Sequence, residues 1–297
     1  MVKKLERVKS TDGSSKYLFN DGKSKKGNFE AIYFYPVDGV PESSICMSTQ
    51  VGCGVGCAFC ATGKLGLNRN LKSTEILETI AKILEEEKKS GENIRNFTSV
   101  ALMGMGEPLH NYEEVRDFYH QAIKMLPITH FSLSTSGVPE NIIKLADDDT
   151  KYDLFFSLHS PFNEERSRLV PINKRYALEE VLSACKYYYE KKQKNVIGKK
   201  IKASYLLLKD LNDSDEHLQQ LIKILDKDIF KVQILLYNEN EKLPFKRPSM
   251  ERAKKFENKL KENGLEATIS ISKGQDIAGA CGQMAGKNRK QEEEEER

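Results

Sequence analysis

The sequence predicts an α/β protein: a partial (β/α)6 TIM-like barrel preceded by an N-terminal β-hairpin. Three observations carry this. Strand-like and helix-like segments alternate through six units, and such alternation implies a parallel sheet covered by helices. Six units are too few for a closed eight-fold barrel, which leaves a partial barrel or, alternatively, an open sheet. Nearly every Gly-rich or unusual polar cluster directly follows a strand, where both architectures put their working residues.

The elements follow in order. Tyr17–Phe19 and Phe29–Tyr35 flank a Gly/Lys/Ser loop and read as a hairpin. Ile45–Thr49 is a short strand that enters a cysteine-rich loop. Residues 73–90 are helical, because Ile76, Leu77, Ile80, Ile83 and Leu84 share one face and Gly91 ends the run. Strands are expected at Thr98–Met103, His130–Thr135, Tyr152–Leu158, Ile201–Leu208 and Val232–Tyr237. Helical patterns separate them near 112–125, 139–147, 177–192 and 214–226. A helix near 249–263 and a strand at Ala267–Ile271 complete the core.

No linker or repeat divides the 297 residues. We expect an extension and hairpin over 1–40, one core domain over 41–286, and a charged, disordered tail over 287–297. The net charge of +3 does not by itself announce a nucleic-acid partner. Basic stretches at Lys23–Lys26 and Lys287–Lys290 can touch phosphates, although such lysines are usually solvated faces. No signal peptide opens the chain and no apolar run is long enough to span a bilayer. A cytoplasmic protein without membrane contact is expected, in which thiols stay reduced.

Cys53, Cys57 and Cys60 form the pattern C-x3-C-x2-C. Three thiolates on one short loop can hold three irons of a four-iron cluster and leave the fourth open to a small molecule. A zinc site would need Cys46 or a distant His as fourth ligand. A disulfide pairing fits neither the spacing nor a reducing compartment.

Further motifs follow the strands. Gly104-Met-Gly-Glu107-Pro108 offers glycines for close approach to a ligand and a carboxylate for an ammonium; alone it reads as an ordinary turn. Ser134-Thr-Ser-Gly137 and Ser157-Leu-His159 offer hydroxyls and an imidazole, where the plain readings are a helix cap and a structural histidine. Tyr237-Asn238 is weak alone. Cys185 shares a helix face with Leu178, Val181 and Leu182 and reads as core. Cys281, framed by glycines, reads as an exposed, reactive thiol.

Phe59 completes the pattern C-x3-C-x-aromatic-C, which resembles the radical S-adenosylmethionine (SAM) superfamily. The ordered segments Cys46-Met-Ser-Thr-Gln-Val-Gly-Cys53, Met103–Pro108, Leu133–Gly137, Ser157–His159, Val170–Lys174 and Asp276–Gln283 resemble the RlmN/Cfr group of RNA adenine methyltransferases over about Tyr17–Gly286. The resemblance implies a [4Fe-4S] cluster on Cys53, Cys57 and Cys60, and a SAM site lined by Gly106, Glu107, Ser134, Ser157, Leu158, His159 and Asn238. It implies that Cys281 carries the methyl carbon, that Cys46 resolves a covalent protein–RNA adduct through a transient Cys46–Cys281 disulfide, and that Glu30 is the general base. The implied substrate is adenine in 23S ribosomal RNA, extending to transfer RNA. An electron donor such as flavodoxin or ferredoxin and a monomeric enzyme are implied with it.

The chemistry is consistent with this. An amidine carbon of adenine is not nucleophilic, so a tethered carbon radical must add to it, and a second thiol must release the product. The base must be exposed, in a loop or an opened helix. The hairpin begins near residue 16, so the family's usual N-terminal accessory domain is expected to be absent. Segments resembling the C2-methylating branch favour C2, with C8 as the alternative. A different RNA or a small adenine-containing substrate is the enzymatic alternative. A metal-bearing RNA-binding module is the non-enzymatic one.

Overall fold

The computed structural model describes residues 1–22, 27–37, 41–196, 198–239 and 243–284. The basic stretches at Lys23–Lys26 and Lys287–Lys290 and the tail lie outside them. The chain divides into two compact units. The first takes in Met1–Gly54, Cys60–Leu133 and the segment from Lys273; the second takes in Val55–Phe59 and Ser134–Ser272.

In the first unit, β1 (Lys3–Lys9), β2 (Ser14–Asn20) and β3 (Asn28–Phe34) form an antiparallel meander. β2 and β3 are the expected hairpin, in a register that opposes Leu18 to Glu30. β1 was not legible, because KKLERVK lacks the two-residue apolar alternation that marks a strand. β4 (Ser43–Met47) pairs antiparallel with β3 and opposes Cys46 to Ile32. β5 (Gln50–Gly52), α1 (Ala61–Leu65) and β6 (Leu67–Asn70) follow, and β5 pairs with β6 as a separate ribbon. Then come α2 (Ser73–Lys89), β7 (Phe97–Leu102), α3 (Tyr112–Met125) and β8 (His130–Thr135). β7 lies parallel to both β4 and β8.

α2 forms where the periodicity places it. Ile76, Ile80 and Ile83 are fully buried on one face, Glu75 closes a capping box at the start, and Gly91 adopts φ +89 past the end. The helix also buries Glu87, whose carboxylate accepts from the hydroxyls of Tyr17 and Tyr35 and from Arg7. That network ties α2 to the meander.

The second unit contains α4 (Pro139–Asp147), β9 (Tyr152–Ser157), α5 (Asn163–Leu169), α6 (Leu178–Tyr188), β10 (Ile201–Leu207), α7 (Asp215–Ile224), β11 (Phe230–Leu236), α8 (Met250–Glu262) and β12 (Ala267–Ser270). Strands β9, β10, β11 and β12 pair in that order, all parallel. α5 was not expected, and the helix expected to reach residue 192 ends in a π turn at Tyr189–Gln193. Cys185 is wholly buried, and burial pushes its thiol up to about 12, as suits a core residue. Leu154, Phe156, Ala203, Tyr205, Val232 and Ile234 are buried on one sheet face. Of the alternate residues, Phe155, Ser204 and Leu206 are buried too, while Asp153, Lys202, Lys231, Gln233 and Leu235 are half-buried.

Candidate active site

The cysteine loop runs from the end of β5 into α1 and is held by backbone hydrogen bonds along its length. Cys53 donates to the carbonyl of Gly66 at 2.9 Å, and Ala61, next to Cys60, donates to that of Gly282 at 2.8 Å. In the second unit Ala58 donates to Leu169 at 2.9 Å, and Phe59 meets His159 edge to face at 4.9 Å. All three cysteines are of intermediate exposure. Among the described residues no three His, Cys, Asp or Glu side chains converge as a site for a single metal ion. Three thiols on one short, anchored loop are the donor set that a cluster takes, with soft sulfur ligands for iron.

The first unit brings Cys46, Cys60 and Cys281 into one neighbourhood. Cys46 is buried on β4. Burial pushes its thiol up, the charge of Cys281 pushes it further, and the backbone N–H of Met103 acts the other way. The Cys281 thiol is likewise raised, first by burial and then by Cys60. Cys281 is exposed as a residue, although burial is the first cause that raises its thiol. The sequence reading of an exposed residue holds, but that of a pre-activated thiol does not: an activated thiol would have its pKa lowered. No disulfide joins Cys46 to Cys281 in this structure.

Glu30 is fully buried on β3, two residues from Ile32, and so on the face that carries Cys46 in the register. The segment leading to Cys281 packs on that face, since a Cβ at Gly279 would lie 2.9 Å from Cδ1 of Ile32.

The 104–107 turn is seated on Ser48-Thr49-Gln50. Met105 donates to Oγ of Ser48 at 2.8 Å, Thr49 donates to the carbonyl of Met105 at 2.9 Å, and Glu107 N–H donates to Oε1 of Gln50 at 2.9 Å. A Cβ at Gly104 would come within 2.7 Å of Ser48 N, and one at Gly106 (φ +108) within 2.6 Å of Gln50 Cβ. The glycines thus allow close approach to the protein's own chain, not only to a ligand. Glu107 is buried, and its Oε1 accepts from Leu109 N–H at 3.1 Å.

The second unit gathers Ser134, Ser157, Leu158 and His159. The hydroxyls of Ser134 and Ser157 lie 3.2 Å apart. The helix-cap reading of the Ser134 segment fails, because α4 starts after Val138 with no side-chain cap. His159 sits at φ +57, where few non-glycine residues lie. Its Nδ1 accepts from Leu206 N–H at 3.0 Å, which places the ring proton on Nε2. Burial, then the charge of Arg166, lowers this imidazole to about 3, so it is neutral at physiological pH. Asn238 is buried and donates to Ser272 at 3.1 Å. The hydroxyls and the neutral N–H gathered in this unit suit a ligand that carries polar oxygen groups.

Arg166 was missed by sequence reasoning. It is fully buried. Nε donates to the carbonyl of Leu158 at 3.0 Å, Nη2 to those of Ser136 at 2.6 Å and Ser157 at 2.9 Å, and Nη1 to Oδ1 of Asn173 at 2.6 Å. One guanidinium therefore fixes the chain on both sides of the serine pair. Its signal lay in the Glu164–Ser167 and Val170–Lys174 segments, whose side chains meet only in three dimensions.

Comparison with known proteins agrees with these features. The Radical SAM superfamily matches residues 47–222. A probable dual-specificity RNA methyltransferase RlmN of Thermotoga neapolitana is 40% identical over 95% of this chain and 79% of its own length. The ribosomal RNA large subunit methyltransferase N of Nitrosopumilus maritimus is 34% identical over 95% of this chain and 80% of its own. The crystal structure of a radical SAM methyltransferase from Sphaerobacter thermophilus superposes with a TM-score of 0.87 at 33% identity, covering 96% of this chain and 82% of that one. The fold is the mixed α/β fold of these proteins, with a parallel sheet and flanking helices, and the cofactors of the superfamily are a [4Fe-4S] cluster and SAM. The chain belongs to the radical SAM superfamily and, within it, to the RlmN methyltransferase family.

Proposed function

We propose that the protein methylates an adenine carbon in RNA, with C2 favoured over C8, and that 23S ribosomal RNA and transfer RNA are its substrates in the cytoplasm. The observation that carries this reading is the grouping of two thiols outside the cluster loop, Cys46 and Cys281, with the charge of Cys281 acting on Cys46 and that of Cys60 on Cys281. A radical enzyme without this chemistry has no need of such a pair.

When bound, the cluster and SAM supply the electron and the 5′-deoxyadenosyl radical. Cys53, Cys57 and Cys60 would hold the cluster, and Gly106, Glu107, Ser134, Ser157, Leu158, His159 and Asn238 would hold SAM. Cys281 carries the methyl carbon on its sulfur. That carbon would give up one hydrogen atom to the 5′-deoxyadenosyl radical and bond to the adenine ring carbon, which would lose its proton to Glu30 and one electron back to the cluster, leaving protein and RNA linked through sulfur. Cys46, as thiolate, then attacks the Cys281 sulfur. The new S–S bond forms as the S–C bond breaks, and the electron pair leaves with the carbon, which takes up a proton as the product's methyl group. The disulfide returns to two thiols with two electrons from a donor such as flavodoxin or ferredoxin. A raised pKa keeps Cys46 protonated until it attacks, and the N–H of Met103 favours its thiolate when it forms.

The test uses reconstituted enzyme. Cys281→Ala retains the brown cluster chromophore and forms no methyladenine; normal turnover by that variant overturns the mechanism. Cys46→Ala accumulates RNA cross-linked to protein, visible as a gel shift that resists denaturation. Mass mapping of ribosomal and transfer RNA from a deletion strain identifies the modified nucleotide, and an unchanged map excludes these RNAs as substrates.

A further inference from the structure

The segment that carries Cys281 has little of its own to hold it in place. From Gly274 to Met284 it contains no strand, and no helix beyond the 3-10 turn Gln275–Ile277. Within it only Gly274, Gly279, Ala280 and Met284 are buried, and three of these four carry no more than a methyl group. A chain that buries so little apolar surface is placed by its polar contacts. Two anchors from the first unit grip it, one at each end.

The entry anchor is the turn that joins β1 to β2. Gly274 N–H donates to Oδ2 of Asp12, and Oγ of Ser14 donates to Oδ1 of the same carboxylate at 2.7 Å. Oγ of Ser10 donates to Oδ1 of Asp276 at 2.6 Å. The exit anchor is α1, directly after the third cysteine of the cluster loop. Ala61 N–H donates to the carbonyl of Gly282 at 2.8 Å, and Oγ1 of Thr62 donates to that of Met284 at 2.7 Å. Thr62 and Met284 are both buried.

Between the anchors the chain makes a tight turn. Gln283 N–H donates to the carbonyl of Ala280 at 3.0 Å, Oε1 of Gln283 accepts from Ala280 N–H at 3.2 Å, and Gly282 takes φ +83. Cys281 is the first corner of that turn. Since Ala61 follows Cys60 and Gly282 follows Cys281, the 2.8 Å bond between them sets the turn beside the cluster loop. Ala61 contributes only its backbone, which any residue supplies. The contacts that depend on a side chain are those of Asp12 and Thr62. A thiol that must meet a methyl donor, then a base, then a second thiol has to be placed closely, because a displacement of about 1 Å can cost about 100-fold in rate.

We propose that Asp12 and Thr62 are positioning residues that clamp the Cys281 segment at its two ends and hold Cys281 beside the cluster loop. Both act through the segment's backbone, at Gly274 and Met284. This rests on the reading of Cys281 as the methyl carrier.

The experiment compares reconstituted holoenzyme with three variants. Thr62→Val keeps the shape and removes the hydroxyl, Thr62→Ser keeps the hydroxyl, and Asp12→Ala removes the entry carboxylate. Hydrogen exchange of the peptide spanning 273–284, read by mass spectrometry, reports the clamp without turnover. Loss of one hydrogen bond should speed it about fivefold in the Val and Ala variants and leave the Ser variant like wild type. Under turnover with SAM, a reductant and an RNA stem-loop bearing an unpaired adenine, the yield of methyladenine per 5′-deoxyadenosine should fall about tenfold in the same two variants. The methyl found on Cys281 by peptide mass should fall with it, at unchanged iron content. A residue that served folding alone would lower both products together. Wild-type exchange and product ratio in both Thr62→Val and Asp12→Ala overturn the clamp, and so does an equal fall in both products. If Thr62→Val loads no cluster, Asp12→Ala and Thr62→Ser decide. Wild-type enzyme that carries methyl on Cys281 and makes no methyladenine rejects the RNA substrate and leaves the clamp standing. Wild-type enzyme without that methyl rejects the carrier reading and the clamp with it.

Discussion

Replacing Arg166 by Met probes how far one buried side chain organises the proposed cofactor site. The substitution keeps the length of the stem and removes four donated hydrogen bonds, to the carbonyls of Leu158, Ser136 and Ser157 and to Oδ1 of Asn173. It also removes the guanidinium that lies 5.0 Å over the Phe156 ring. A buried acceptor that loses its partner costs about 1–3 kcal/mol. Each carbonyl has a second lone pair, so the lower end applies, and four acceptors give about 4 kcal/mol. The variant no longer has to desolvate a cation, which offsets part of this, leaving about 3 kcal/mol. For a chain of this size 1 kcal/mol moves the melting temperature by about 2–4 °C, so scanning fluorimetry should show a fall of about 6 °C or more. Arg166→Lys keeps a charge but not the planar fork and should fall between the two. Ser157 and Leu158 are held by the same group, so SAM affinity in the reconstituted enzyme should drop about tenfold, or about 1.4 kcal/mol. A Met variant that melts within 2 °C of wild type and binds SAM equally would refute the reasoning, because Arg166 would then be replaceable filling.

Two more changes test the site from different directions. Gly104→Ala places a methyl group 2.7 Å from Ser48 N and 2.9 Å from the carbonyl carbon of Met47. Backbone cannot swing aside, so overpacking of about 1–3 kcal/mol is expected together with weaker SAM binding by calorimetry, as Glu107 shifts with the turn; unchanged affinity would show that the turn does not seat the cofactor. His159 is held at about 3 in the folded protein against about 6.5 when unfolded. Below 6.5 the unfolded chain binds the extra proton, so the neutral imidazole's contribution is complete above 6.5 and is lost as pH falls from there toward 3. The slope is about 1.4 kcal/mol per pH unit, or about 2 kcal/mol between pH 6.5 and 5. His159→Gln should melt lower than wild type at pH 7 and lose less on going to pH 5, and an identical pH dependence in the two proteins would contradict the assignment.

The alternation of elements was legible because it rests on local pattern. Ile76, Ile80 and Ile83 mark α2 at helical spacing, and β9, β10 and β11 lie within two residues of their expected bounds. What escaped were elements whose stability comes from partners distant in sequence. β1 is charged at five of its seven positions and forms because β2 offers it a ladder. α5 is a seven-residue helix with four charged residues and little apolar face of its own. It contains Arg166, whose donors all point to chain outside the helix. No periodicity announces such a residue, since three of its four partners are backbone carbonyls that any sequence would supply.

The cysteines show the same division between pattern and environment. Spacing alone points to 53, 57 and 60 as the proposed ligands, because a cluster needs thiolates on one loop and spacing measures that directly. Spacing cannot tell how readily Cys281 gives up its proton. Its glycine frame suggested openness, and openness suggested reactivity, but burial raises the thiol first and the charge of Cys60 raises it further. Cys46 is raised by burial first and then by the charge of Cys281. If Cys281 is already bonded to carbon, its charge cannot oppose Cys46, and the part of the obstacle to forming the resolving thiolate that repulsion adds to burial disappears. Attachment of the methyl carbon would then itself prepare Cys46 for the attack that ends the cycle. Alkylating Cys281 with a small neutral methylthio group should therefore lower the Cys46 pKa, read from its ultraviolet thiolate absorbance in a protein lacking Cys185. An unchanged titration would show that burial alone sets Cys46 and that the pair is not coupled.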